Sequence, residues 1–155
     1  MKHFYRFLAI SFSVLGIVSC GGDGYSSPTP TPTPTPNSTT FKATLNGTNA
    51  GTGSSATGTG TLIFSNTTKK FSITVTYSGM IATAAHIHTS TSTPPGAIVF
   101  PLIAGGGGGY PTTYSLDNQV LNTTQEADLK AGSYYVNIHS NAFPDGEIKG
   151  TLIKQ

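Results

Sequence analysis

The chain has 155 residues, of which 9% are charged, with 19 Gly, 10 Pro and a formal net charge of +2. Such a composition excludes a mainly helical or coiled-coil protein and favours short strands joined by turns. With little charge and no basic patch interleaved with aromatics, it also excludes nucleic acid as a partner.

At the N-terminus Lys2 and Arg6 precede the apolar run 7–18, which closes on Ser19-Cys20. This is the layout of a secretory signal, and the run falls short of the roughly 20 apolar residues that a spanning helix needs. Ile17-Val18-Ser19-Cys20 resembles the lipobox of bacterial lipoproteins. The resemblance implies cleavage before Cys20, a diacylglycerol on its thiol, and a further acyl chain such as palmitate on the new amine. An ordinary cleaved signal followed by an unmodified cysteine is the alternative. Cys20 is the chain's only cysteine, so no intrachain disulfide can use it. Several acyl chains anchor stably where one is marginal, at about 0.8 kcal/mol per buried methylene.

Loss of residues 1–19 would remove Lys2 and Arg6, leaving six basic against six acidic side chains. The net charge then belongs to the signal. Residues 20–40 read as a linker: proline occupies every second position from Pro28 to Pro36, with threonine between. Proline fixes φ and disfavours helix at the residue before it, so this stretch is an extended spacer of about 28 Å. Gly21 stands where some bacterial lipoproteins carry an inner-membrane retention aspartate. The expected location is thus the cell envelope, lipid-anchored at the outer membrane or cell surface.

Residues 41–155 read as one all-β domain, a Greek-key sandwich or barrel of about eight short strands. The expected strands are 41–46, 58–64, 71–77, 82–89, 97–104, 110–116, 133–140 and 147–154. Phe71, Ile73, Val75 and Tyr77 give the cleanest period of two, and 66–70 reads as a hairpin connection. One short helix is expected at 123–131, because Thr123-Thr-Gln-Glu126 has the capping-box pattern and Gly132 ends it. Gly105 to Gly109 reads as a loop. It is no phosphate cradle, since neither a Lys-Ser/Thr pair nor a helix follows.

Beyond the signal the histidines are His86, His88 and His139. On strands, His86 and His88 share a face, as do Tyr135, Asn137 and His139. With the aliphatic face as core, all three histidines fall on the outer or rim side. Three imidazoles on one face suit Cu²⁺ or Zn²⁺, with Glu147 as a fourth ligand or a ring-orienting group. The alternative is a half-exposed strand whose imidazoles bond to loop backbone and Glu147.

Phe41-Lys-Ala-Thr-Leu-Asn-Gly47, Ala85-His-Ile-His88, Gly96-Ala-Ile-Val99, Leu129-Lys-Ala-Gly-Ser-Tyr-Tyr-Val-Asn-Ile-His139 and Pro144-Asp-Gly-Glu-Ile-Lys-Gly150 resemble, in order, the CHRD (chordin-type) domain. Lys149 stands where the family usually has arginine, which keeps the charge but weakens bidentate contacts. The resemblance implies a compact all-β extracellular domain without established catalysis. A more distant likeness is to the copper/zinc superoxide dismutase sandwich, by which His86, His88 and His139 would stand in copper positions. The chain departs from that pattern: it lacks a bridging histidine, a loop disulfide and any arginine after residue 6.

No nucleophile, base and orienting carboxylate fall together, which points away from an enzyme without deciding the matter. The expected function is a membrane-anchored binding or interaction module for a protein or glycan. The alternative is a mononuclear copper or zinc domain, and a purely structural envelope protein is a third reading.

Overall fold

The computed structural model describes residues 37–90, 95–106 and 110–155. The signal, Cys20 and the Pro-Thr spacer lie outside the described residues. Along the chain run β1 (Ser38–Asn46), the helical turn α1 (Gly47–Ala50), β2 (Thr57–Ser65), β3 (Lys70–Ser78), β4 (Ala82–Thr89), β5 (Ile98–Pro101) and β6 (Ile103–Gly105). β7 (Thr113–Val120), α2 (Thr123–Lys130), β8 (Tyr134–Ser140), β9 (Ile148–Thr151) and β10 (Ile153–Lys154) complete it.

Alternation dictates most of these elements. In β3, Phe71, Ile73 and Val75 are buried while the residues between them reach the surface, as a strand with one face on the core requires. The hairpin between β2 and β3 turns through Lys69, whose φ of 59° is left-handed and whose N–H returns to the Ser65 carbonyl. The first strand begins at Ser38 and the seventh at Thr113, leaving Tyr110 outside it and 70% exposed.

Every strand pairing is antiparallel, in the order β5-β4-β8-β9-β1-β2-β3-β7-β6, with β10 also on β1. The result is the expected all-β fold, a nearly closed barrel or sandwich. Among the described residues ten strands stand where about eight were expected, because two expected strands each change partners halfway. Residues 98–101 pair with β4, the chain bends at buried Leu102, and 103–105 pair with β7. Likewise 148–151 pair with β8, the chain bends at fully buried Leu152, and 153–154 pair with β1. At each switch the leucine N–H still bonds to the first half's partner strand, Leu102 to the Ala85 carbonyl on β4 and Leu152 to the Tyr134 carbonyl on β8. Strands that switch layers make the corners of such folds.

The expected helix is present, capped one residue earlier than the sequence pattern suggested. Asn122 and Gln125 form the capping box, and Glu126 instead meets Lys69 at 2.9 Å and Lys130 at 2.6 Å. Asparagine is as good a cap as threonine, so the box could slide by one residue.

The core is one cluster built round Phe41, Leu45, Phe64, Ile73, Val136 and Ile138, all of them fully buried. Each large apolar side chain buried this way contributes about 1.5–3 kcal/mol. β4 and β8 lay their aliphatic residues, Ile87, Val136 and Ile138, onto this cluster. Their other face carries the histidines.

Candidate metal centre

The register of β4 on β8 sets His88 opposite Tyr135, His86 opposite Asn137 and Ala84 opposite His139. Residues opposite one another share a face, and diagonal neighbours are within reach of long side chains. His139 faces only the methyl of Ala84 and so lies open to its diagonal neighbour. His86 Nδ1 and His139 Nε2 are 3.0 Å apart. One ring nitrogen from each of His86, His88 and His139 falls within 4.8 Å of the others.

The face lies opposite the aliphatic core, as alternation implied, but most of it is covered. His88 is 2% and His139 9% exposed, and every residue of β8 is buried. Two loops cover this face, one approaching through Gly96 and the other through Phe143–Gly146. The second is a turn closed by the Gly146 N–H on the Phe143 carbonyl at 3.0 Å and fastened to β8 by Asn137 Nδ2 on the Asp145 carbonyl at 2.9 Å. Gly146 holds φ at 122°, and a Cβ there would lie 2.1 Å from Asn137 Oδ1. Only glycine lets the turn sit this close.

The loops also set the rings. His88 Nδ1 lies 2.7 Å from the Gly96 carbonyl and His139 Nδ1 2.8 Å from the Pro144 carbonyl. A carbonyl only accepts, so both Nδ1 atoms carry the proton, which makes Nε2 the atom of each ring placed to ligate. The Nε2 of His88 is buried with no hydrogen-bond partner. Backbone carbonyls thus perform the orienting role for which Glu147 was the sequence candidate. The Glu147 carboxylate instead accepts from Ser54 Oγ at 2.7 Å, outside the histidine cluster.

Burial holds the His86 imidazole below its ordinary pKa of 6.5, reinforced by His139 and then His88. Burial likewise lowers His88, with the Gly96 hydrogen bond opposing and His139 adding to the effect. Both rings are therefore neutral near pH 7, the form that ligates metal. Imidazole donors at about 2.0–2.1 Å suit zinc or copper. The cluster must draw together slightly to reach that geometry, and half-buried His86 is the ring with room to turn.

Sequence reasoning missed Gly96 and Pro144, which act through main-chain oxygens and carry no side-chain signature. Tyr135 shared a face with His139 in the sequence reading. Its ring stacks on His88 with centroids 5.3 Å apart, its hydroxyl accepts from the Gly96 N–H at 3.2 Å, and the Lys149 ammonium lies 5.6 Å from its centroid. A cavity of about 550 Å³ opens over the three histidines, and a cleft of about 680 Å³ lies beyond Tyr135, lined by Lys42, Thr44, Asn49 and Lys149.

The family model for the CHRD domain matches residues 41–152. No curated protein and no solved structure matches the chain.

Proposed function

The chain belongs to the CHRD-domain family, and on that premise we propose that it is an envelope-displayed binding module in which His86, His88 and His139 take one copper or zinc ion. The observation that carries this reading is the buried, unpartnered Nε2 of His88 on a ring already fixed by the Gly96 carbonyl. A buried acceptor without a partner costs about 1–3 kcal/mol, and a metal ion is the partner that the neighbouring lone pair of His139 would share. Elemental analysis of protein purified without a histidine tag tests it. One equivalent of copper or zinc is expected, lost in the His86→Ala/His88→Ala variant. Stoichiometric metal that survives in the variant overturns the site.

Display at the envelope is supported by the lipobox-like Ile17-Val18-Ser19-Cys20 and by the Pro-Thr spacer. A Cys20→Ser chain should leave the membrane fraction, and one that stays there removes the anchor. A metal-independent contact with a protein or glycan is the second reading. It is supported by the cleft that holds Lys42 and Lys149 beside Asn49 and Thr44, and it requires ligand binding that His86→Ala/His88→Ala leaves intact.

A further inference from the structure

A tetrahedral ion needs four donors, and among the described residues the cluster supplies three. No other candidate belongs to the cluster. Glu147 is bonded to Ser54, and Met80 packs against the core. Asp145 lines the cavity above the histidines, yet it is exposed and lies outside the cluster. Structural zinc sites close all four positions with protein side chains, whereas sites that exchange ligands leave one position unfilled.

What lies over the three rings is space. The cavity of about 550 Å³ is walled by the histidines themselves and edged by Thr83, Ser140 and Asn141. A water occupies about 30 Å³ in the liquid, so this volume admits a small ligand together with solvent. The ligand's charge follows from the donors. Three neutral imidazoles leave a divalent ion its full charge, which draws hydroxide or a small anion. Ser140 Oγ accepts from the Phe143 N–H at 3.2 Å, which leaves its own hydroxyl proton available to a ligand in the cavity.

We propose that the ion held by His86, His88 and His139 keeps one coordination position open to this cavity, where it exchanges water for a small anion. The inference rests on the metal reading above, and it makes the centre an exchanging site instead of a closed structural one.

The test loads the full chain with Cu²⁺ and titrates sodium azide, reading visible absorption and electron paramagnetic resonance. An azide-to-copper charge-transfer band is expected to saturate at one azide per copper and to be absent from His86→Ala/His88→Ala. Thr83→Trp and Asn141→Trp place bulk at exposed positions on the cavity without touching a histidine. Each should weaken azide binding about tenfold or more at unchanged copper stoichiometry, since the added bulk acts by exclusion alone. Copper retained with a spectrum indifferent to azide overturns the open position while the metal reading stands. Azide affinity unchanged in both tryptophan variants overturns access through this cavity. Absence of histidine-dependent copper overturns the metal reading itself, and this inference with it.

Discussion

The imidazole of His88 lies nearly flat against the phenol of Tyr135, their planes 15° apart, and both side chains grip the same residue, Gly96. His88 Nδ1–H donates to the Gly96 carbonyl while the Gly96 N–H donates to the Tyr135 hydroxyl. Tyr135 is therefore placed to hold His88 and the Gly96 loop in register at the proposed metal site. Tyr135→Phe preserves the stack and removes the anchor of the loop, leaving a buried N–H unpaired at a cost of about 1–3 kcal/mol. Copper affinity should fall about tenfold, the scale on which groups behind metal-ligating histidines act. Equal copper affinity in calorimetric titrations of wild type and variant would sink that role.

Glu147 makes the opposite prediction. Its carboxylate meets Ser54 Oγ and its main-chain carbonyl meets Thr52 Oγ1, so it fastens the loop before β2 to the start of β9. Glu147→Gln retains an oxygen for Ser54 and should leave metal content and azide binding unchanged. A loss of metal in that variant would return Glu147 to the ligand set.

Acid should destabilise the metal-free domain through the histidines. His86 and His88 both titrate below 6.5 in the folded chain, first because they are buried and also because His139 is near. As pH falls through about 6.5 the unfolded chain accepts protons that these rings resist. Their contribution is thus fully present above that pH and is lost below it. Urea midpoints should be level from about pH 8 to 7 and decline towards pH 5, and the decline should be shallower in His86→Gln/His88→Gln. A midpoint that rises on acidification contradicts this sign.

The bends should be the most sensitive points of the barrel. Leu102 is 8% and Leu152 0% exposed, each sitting where a strand changes layers. Leu152→Ala should cost about 2–5 kcal/mol by denaturant titration, the range for a buried leucine, with Leu102→Ala towards the lower end. Ile153→Ala, on a side chain 55% exposed, serves as the comparison and should stay within about 0.5 kcal/mol of wild type. Similar losses at Leu152 and Ile153 would show that the bend is not a keystone.

Much of this was legible because strands have a period of two. Phe71, Ile73 and Val75 declared a core face, and His86, His88 and His139 declared a shared polar one. The burial of that polar face was not legible, since its cover comes from loops near Gly96 and Pro144 that have no periodicity. The apolar run 97–104 likewise hid the bend at Leu102, because partner choice leaves no mark when both halves are apolar. The helix cap slid by one residue because Asn122 and Thr123 are both competent caps.

The layer switch at Leu102 has a consequence for crowding. Because one segment supplies both margins of the sheet, the ladder ends in strands of 4 and 3 residues, Ile98–Pro101 and Ile103–Gly105. Long unpaired margins template the docking of a neighbour's backbone, and very short ones do not. Under the anchoring proposed above, copies would be confined to two dimensions, where they collide far more often than in bulk solution. With so little ladder on offer, this domain can be displayed densely and still meet its neighbours as separate particles.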